Sequence, residues 1–282
     1  MYCERCRQAI LKEYEVHSMT VDHRFIIKKL QTMPEIFTAL SQATRHPFVT
    51  CDKDSFNDQV HVFVEEAQVR TFAQSYAEQK IALAAVKVTQ AQFLPFYGNL
   101  YSLGINAVVL HDKNTVTELA LEEIVRKPQN PATLPKEKRP ITNPELSLTA
   151  LYFLQEMRRP VPQEEKHGLA DLDEELVANL VRARFLTGVE NDPKAPMKDG
   201  KNQVRIPFIK TDKGEMFQAL FTDLSEMLKF DPQKKLRPLV VPFGELEKLL
   251  IENATGFILN PGSISLPLRK EQLPAFRKRM GL

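Results

Sequence analysis

Two cysteines close to the start of the chain have a spacing that could bind a metal ion. Cys3 and Cys6 are separated by two residues, which is how many zinc sites begin. A tetrahedral site needs two more ligands, and Cys51 and a histidine would have to supply them. Two interpretations therefore stay open: a zinc site that includes Cys3 and Cys6, or an N-terminal segment in which these cysteines are incidental.

Polar residues flank two strongly apolar segments that read as buried strands. Asn106 precedes the first segment and His111 and Asp112 end it, whereas Asn260 and Pro261 end the second. Open α/β sheets often bind ligands where strands end, so these five residues are candidate binding residues. Ordinary turn chemistry explains the same residue types equally well.

Sequence motifs of common enzymes are missing from the chain. It contains no phosphate-binding glycine loop, no dinucleotide fingerprint, no zinc-protease helix motif and no nucleophile elbow, and it has only ten glycines. Acidic pairs such as Glu65-Glu66 are neighbours in sequence and so do not share a helix face. His61 alternates with valines and is interpreted as a solvent-facing strand residue. We therefore expect a non-catalytic protein without a cofactor.

Composition and charge limit the classes of partner. The 38 basic and 36 acidic residues nearly balance, which disfavours nucleic acid and anionic membranes as partners. No apolar run reaches the roughly 20 residues of a membrane span. The N-terminus carries charge where a signal peptide needs apolar residues, and three cysteines suit a reducing compartment. These features predict a cytoplasmic protein whose partner is another protein.

Two stretches about 145 residues apart resemble one another and indicate a tandem repeat. Phe63 and Phe72 are nine positions apart, as are Phe208 and Phe217, and each first phenylalanine is assigned to a strand and each second one to a helix. The apolar segments that end at His111 and at Asn260 also correspond. Each repeat is predicted to run strand, helix, strand, helix, strand, strand, helix.

The fold class that follows is mixed α/β (α+β), with two small mixed-sheet domains packed as an intramolecular pseudo-dimer. We predict a first repeat over 1–126, a proline-rich linker over 127–144 and a second repeat over 145–282. Apolar spacing predicts helices over 22–45, with a second helix starting at Pro34. Residues 190–203 read as a mobile loop.

The segment from Gly256 to Gly262 resembles the closing part of the SseB (enhanced serine sensitivity) N-terminal domain family, in which a Gly-x-x-x-Asn-Pro turn follows an apolar strand. The resemblance covers 172–280 and, more weakly, 33–126. The first repeat departs from it, because His111-Asp112 stands where the second has Asn260-Pro261. The resemblance implies a bacterial α/β domain without established catalytic activity.

Two functions follow as hypotheses. The first is a non-catalytic protein-binding or regulatory module that uses an inter-domain groove or a sheet edge. The second is a small-molecule sensor or unrecognised enzyme with a pocket at the strand C-termini. The sequence does not identify the partner, and it leaves the oligomeric state open.

Overall fold

The computed structural model describes residues 23–128, 133–135, 139–191 and 204–281. Cys3, Cys6 and most of the 190–203 segment lie outside the described residues. The chain divides into two compact units. Unit 1 comprises Met1–Gln129 and Ser147–Asp173, and unit 2 comprises Asn130–Leu146 and Glu174–Leu282.

Unit 1 is a mixed sheet with helices packed against it. Its strands are β1 Glu35–Ser41, β2 Val49–Cys51, β3 Asp58–Phe63, β4 Leu83–Thr89, β5 Ala107–Asp112 and β6 Thr115–Ala120. Its helices are α1 His23–Thr32, α2 Glu66–Ala77, α3 Phe93–Ser102, α4 Leu121–Ile124 and most of α5 Pro144–Met157. The strand order is β4-β1-β3-β5-β6, with β2 paired to β3, and β3 and β5 run parallel.

Unit 2 contains seven described strands. They are β7 Arg184–Asn191, β8 Val204–Arg205, β9 Phe208–Lys210, β10 Met216–Leu220, β11 Arg237–Pro242, β12 Gly256–Leu259 and β13 Leu266–Arg269. The helices are α6 Leu169–Arg182, whose first turn belongs to unit 1, α7 Leu224–Phe230, α8 Leu246–Leu249 and α9 Gln272–Arg279. Strands form the sheets β13-β12-β10-β9 and β11-β7-β8.

The two units share one strand order. In unit 2 the backbone groups of Leu186 and Phe221 exchange two hydrogen bonds of 2.9 and 2.8 Å, which joins β7 to the end of β10. The order β11-β7-β10-β12-β13 then parallels β4-β1-β3-β5-β6. Thr38 donates from Oγ1 to the His61 carbonyl at 2.9 Å, and Thr187 donates equivalently to the Ala219 carbonyl at 3.0 Å.

The mixed α/β class is confirmed, but the predicted alignment of the repeats is wrong at one strand. Phe217 lies on β10 and not on a helix, and Phe208 lies on β9, the counterpart of β2. Phe221, through its pairing with Leu186, occupies the place that Phe63 has in unit 1. The prediction of a helix that starts at Pro34 is also wrong, because strand β1 begins at Glu35.

These errors have a common physical cause. Strands β1 and β10 lie in the middle of their sheets and are buried on both faces. Such strands are apolar at consecutive positions, so they lack the alternation that separates a strand from a buried helix.

Helix α5 packs on unit 1, whereas the sequence places it with the second repeat. Gln155 accepts a hydrogen bond from the Val49 amide and donates one to the Val49 carbonyl, both at 3.1 Å. Tyr152 donates from its hydroxyl to Asp58 at 2.7 Å. These contacts let α5 satisfy backbone groups on the side of β2 that faces away from β3.

Candidate functional site

Unit 1 contains a pair of hydrogen-bonded histidines on the adjacent parallel strands β3 and β5. The register of β3 and β5 places Phe63 opposite His111 and His61 one pleat away. His61 Nδ1 lies 2.9 Å from His111 Nε2, and His61 Nε2 lies 2.9 Å from Thr50 Oγ1. The three side chains therefore form a hydrogen-bonded chain.

Aromatic side chains enclose the pair. Phe63 stacks on His111 with a centroid separation of 4.4 Å, and Phe72 from α2 lies 4.7 Å from His61. His61 is 8% exposed, so its interpretation as a solvent-facing residue is wrong. Burial lowers the pKa of His61 to about 3 and that of His111 to about 4, and the neighbouring His111 contributes to the shift of His61.

The histidine chain is therefore a structural element and a poor acid–base catalyst. Both rings are neutral near neutral pH, so one ring donates a proton to the other's nitrogen. A general base works best when its pKa lies near the operating pH, and a histidine with a pKa near 3 has little affinity for the Thr50 proton. Both nitrogens of His61 already have partners.

The predicted binding residues of unit 1 do not converge on one site. Asn106 stands at the start of β5 and donates from Nδ2 to Asn57 Oδ1 at 2.9 Å. His111 and Asp112 end the same strand, about 16 Å away at the usual rise per residue. Asp112 forms an ion pair with Lys29 on α1.

Asn260 takes the place of His111 in unit 2, but in a different role. Its backbone has φ +47°, a left-handed conformation that asparagine tolerates better than most residues. Its side chain accepts a hydrogen bond from the Thr222 amide at 2.9 Å and donates to Thr222 Oγ1 at 3.0 Å. Pro261, which follows, is half-buried. Asn260 is thus buried and fully engaged in closing a turn.

Two buried carboxylates tie helix α7 to that turn. Asp223 is the N-cap of α7 and accepts hydrogen bonds from the Glu226 amide at 3.0 Å and from Thr222 Oγ1 at 2.9 Å. Burial raises the pKa of Asp223, and these hydrogen bonds oppose the rise. Glu226 is paired with Lys229 and accepts a hydrogen bond from the Ser263 hydroxyl. The network fixes the position of α7 on unit 2.

Helix α7 borders a solvent-open apolar groove on unit 2. Leu224 and Leu228 lie one turn apart and are 51% and 36% exposed. The cavity volume is about 240 Å³. The residues that line this groove are Leu224, Met227, Leu228, Asp231, Lys234, Leu236 and Pro238. Met227, which lines the groove, also packs in a buried cluster with Phe221, so the groove lies against the hydrophobic core of unit 2.

The outer strands of unit 2 carry prolines. Pro238 and Pro242 lie on β11, and Pro267 lies on β13. Proline has no N–H, so on an edge strand it occupies positions whose N–H side faces away from the neighbour. The backbone nitrogens of Pro238, Val240 and Pro242 face away from β7. Of these three residues Val240 carries the N–H, so it is the donor on the outer side of β11.

The groove is a feature that the sequence prediction missed. Its signal is nevertheless present, because Leu224 and Leu228 are four residues apart in a helix that also holds buried Met227. The residues Asp231-Pro232-Gln233-Lys234-Lys235 read from the sequence as a surface loop, and this loop is present and forms one wall of the groove. The sequence over 212–228 predicts one helix, and this prediction is wrong, because strand β10 occupies Met216–Leu220 and α7 begins only at Leu224.

Metal-binding clusters and membrane-spanning helices are absent from the described residues. In the part of the chain that the structure describes, no group of three or more His, Cys, Asp or Glu side chains is arranged to hold a metal ion. No helix within the described ranges is long and apolar enough to cross a membrane.

Comparison with known proteins yields one family. The family model described as the SseB protein N-terminal domain matches residues 167–275, which include the groove and the Asn260 turn. The match does not extend to the first repeat. No curated protein sequence matches the chain.

Two solved structures are similar over most of their length, with low scores. Tic22 from Plasmodium falciparum is 11% identical, with 91% of this chain and 98% of that chain covered and a TM-score of 0.21. Anabaena Tic22, described as a protein-transport protein, is 12% identical, with 92% and 98% covered and a TM-score of 0.20. Scores this low establish no shared fold.

Proposed function

We propose that this chain is a non-catalytic protein-binding module whose binding surface is the groove beside α7. The observation that carries the proposal is the exposure of Leu224 and Leu228 at the rim of an apolar cavity. Both residues lie on α7, and buried hydrogen bonds hold this helix in place. When a partner covers exposed apolar surface on a rigid element, the complex is stabilised by about 25 cal/mol per Å² of surface buried.

The size of the groove favours a side chain of a partner over a free metabolite. Small-molecule sites are usually clefts or cavities of roughly 300–1,000 Å³. This groove holds about 240 Å³ and is open to solvent. A single leucine or phenylalanine side chain fits such a volume. The alternative of a sensor or enzyme at the strand C-termini has less support, because His111 and Asn260 are already occupied by internal hydrogen bonds.

Insertion of a partner's side chain into the groove also fits unit 2 better than addition of a partner's strand to the edge of its sheet. A peptide that extends a sheet needs regularly spaced N–H donors on the edge strand. Pro238 and Pro242 remove such donors from β11, which is a common way of preventing strand addition. Partner binding is therefore assigned to the groove.

A quantitative pull-down tests the proposal. The tagged full-length chain, its Leu228→Asp variant and a Leu94→Asp control are used as baits in a lysate of the source cells. Leu94 is 71% exposed on α3, outside the groove. We expect a partner that the wild type and the control retain equally and that Leu228→Asp loses at least about tenfold. Equal retention by all three baits would contradict the proposal.

We further propose that the two units arose by tandem duplication in a bacterial cytoplasmic protein. The common strand order and the equivalent hydrogen bonds of Thr38 and Thr187 support the duplication. Three cysteines in 282 residues support a reducing compartment. An experimental structure in which β1–β6 cannot be superposed on the corresponding strands of unit 2 would refute the duplication.

A further inference from the structure

We infer that strand β6 of unit 1 pairs edge to edge with β6 of a second copy of this chain, so that two chains share one continuous sheet. This interaction goes beyond the proposed function, because it belongs to unit 1 and is made by backbone groups. Strand β6 is the last in the order β4-β1-β3-β5-β6, so β5 pairs with only one of its two edges.

Hydrogen bonding along β6 shows which residues face outward. The Leu121 amide, just after the strand, donates to the Asn106 carbonyl at 2.8 Å. In an antiparallel pair such bonding alternates, so every second residue before Leu121 faces β5. These residues are Leu119, Thr117 and Thr115. Val116 and Glu118, which lie between them, therefore direct their N–H and C=O groups away from β5.

The outward groups of Val116 and Glu118 are open to another strand. No residue that the structure describes forms a hydrogen bond with their N–H or C=O groups, and Val116 is 41% exposed. The next outward amide, that of Ala120, is closed, because it donates to the Glu123 carboxylate at 3.1 Å. Two free donors and two free acceptors at regular spacing are a template for strand addition.

The equivalent edge of unit 2 is blocked by a proline. Strand β13 is the counterpart of β6, since the Lys270 amide donates to the Thr255 carbonyl of unit 2 at 3.1 Å as the Leu121 amide does in unit 1. Three residues before these two donors lie Pro267 in β13 and Glu118 in β6. Proline has no N–H. Unit 1 therefore keeps an outward donor at a position where unit 2 has none.

The opposite edge of unit 1 is less suited to pairing. Strand β4 also has outward amides, but Lys87 lies among its outward residues. A lysine on an edge strand is a common way of preventing strand addition. Strand β6 contains no lysine, arginine or proline. The edge of unit 1 that favours pairing is therefore β6.

The free groups of β6 are complementary to themselves. When two copies pair antiparallel about a two-fold axis at Thr117, Val116 of each copy lies opposite Glu118 of the other. Each of these two pairs exchanges two hydrogen bonds, so four bonds use all the free N–H and C=O groups. Two-fold dimers, in which both copies use the same surface, are the commonest homo-oligomers.

The side chains of β6 favour this register over its neighbours. An axis at Glu118 would place two glutamates directly opposite one another, which is destabilising. An axis at Val116 would pair Glu118 with the turn residue Asn114. The axis at Thr117 instead places two threonines opposite one another, which is a favourable cross-strand pair.

Charges at the ends of the paired strands also match. The register with Thr117 on the axis brings Lys113 of each copy to the start of α4 in the other copy. The first turn of α4 carries Glu122 and Glu123, and both are exposed. Opposite charges therefore meet at both ends of the pair, which identifies a second copy of this chain as the occupant of the edge.

Analytical ultracentrifugation of the full-length chain tests the inference with matched proline variants. Glu118→Pro gives β6 the proline of β13, whereas the control Ala85→Pro gives β4 the proline that β11 has at Pro238. We expect the wild type to form a dimer and Glu118→Pro to raise the dimer dissociation constant at least about tenfold, since each dimer loses two hydrogen bonds. Ala85→Pro should keep the wild-type value, as should Glu118→Gln, which retains the N–H. Circular dichroism checks that each variant is folded.

Disulfide formation tests the register. Single cysteines are introduced as Thr117→Cys or Val116→Cys in a chain that carries Cys3→Ser, Cys6→Ser and Cys51→Ser. Residues opposite one another in a pair without mutual hydrogen bonds have Cα atoms about 4.5 Å apart, within the range of a disulfide. The two copies of residue 116 would be more than about 7 Å apart, too far for a disulfide. We expect Thr117→Cys to form a covalent dimer faster, although Val116 is the more exposed residue.

Three results would overturn the inference. A wild type that sediments as a monomer at every concentration would exclude the second copy and leave a strand of another protein as the alternative. A dimer that Glu118→Pro leaves intact, or that Ala85→Pro weakens equally, would place the contact elsewhere. Faster cross-linking through Val116→Cys would contradict the register.

Discussion

The buried histidine pair should make unit 1 sensitive to mild acid. His61 and His111 stay neutral in the folded state because burial lowers their pKa values from 6.5 to about 3 and about 4. In the unfolded chain the same rings bind protons below about pH 6.5. The unfolded state therefore binds more protons between about pH 4 and 6.5, so the free energy of unfolding falls as the pH decreases through that window.

The size of the effect follows from these values. Between about pH 7 and pH 5, each histidine that is neutral when folded and protonated when unfolded removes about 2 kcal/mol of stability, and the pair removes about 4 kcal/mol. Most of the loss is complete once the pH reaches the folded-state pKa values. Because both of those values lie below pH 5, the loss at pH 5 depends almost entirely on the ordinary pKa of the unfolded rings.

The variant His111→Gln removes one titrating ring and keeps a side chain that can hydrogen-bond His61. Urea unfolding followed by circular dichroism is measured at several pH values for the wild type, this variant and the control His167→Gln. His167 is exposed. We expect His111→Gln to lose about 2 kcal/mol less than the wild type between about pH 7 and pH 5, and the control to match the wild type. Parallel curves for all three proteins would refute the buried neutral pair.

Two further predictions concern the Asn260 turn and strand β12. Asn260→Gly keeps the left-handed backbone but removes both hydrogen bonds to Thr222, so we expect a loss of about 1–3 kcal/mol, and Asn260→Ala should lose about 1 kcal/mol more; equal denaturation midpoints would show that backbone strain plays no part. A Cβ on Gly256 would lie 2.1 Å from the Leu268 carbonyl oxygen, so Gly256→Ala should destabilise unit 2 by at least about 2 kcal/mol, whereas Gly244→Ala, with no atom within 4 Å, should change its stability by less than about 0.5 kcal/mol.

Local signals carry the sequence prediction where a strand has one solvent-facing side or a clear boundary. The end of β5 at His111-Asp112 and the end of β12 at Asn260-Pro261 follow from the sequence, because short apolar runs stop at turn-forming residues. The predicted surface loop before β11 is also present. These features depend on residues close together in sequence.

The remaining errors arise where tertiary structure decides. The burial of His61 depends on Phe72 and Thr50, which come from other elements and lie within reach only in the folded sheet. The alternation of His61 with valines predicts the opposite, a histidine that faces solvent. The groove depends likewise on a helix and a loop that meet in unit 2.

Site-specific photo-crosslinking in cells tests whether a partner protein covers the groove beside α7. A photoreactive benzoylphenylalanine is placed at Leu228 in the groove or at Leu94 on α3, and the full-length chain is irradiated in its source cells. We expect a discrete cross-linked protein at position 228, no equivalent product at position 94, and loss of the product when Leu224→Asp is added. The same product at both positions, or none at 228, would contradict a partner-binding groove.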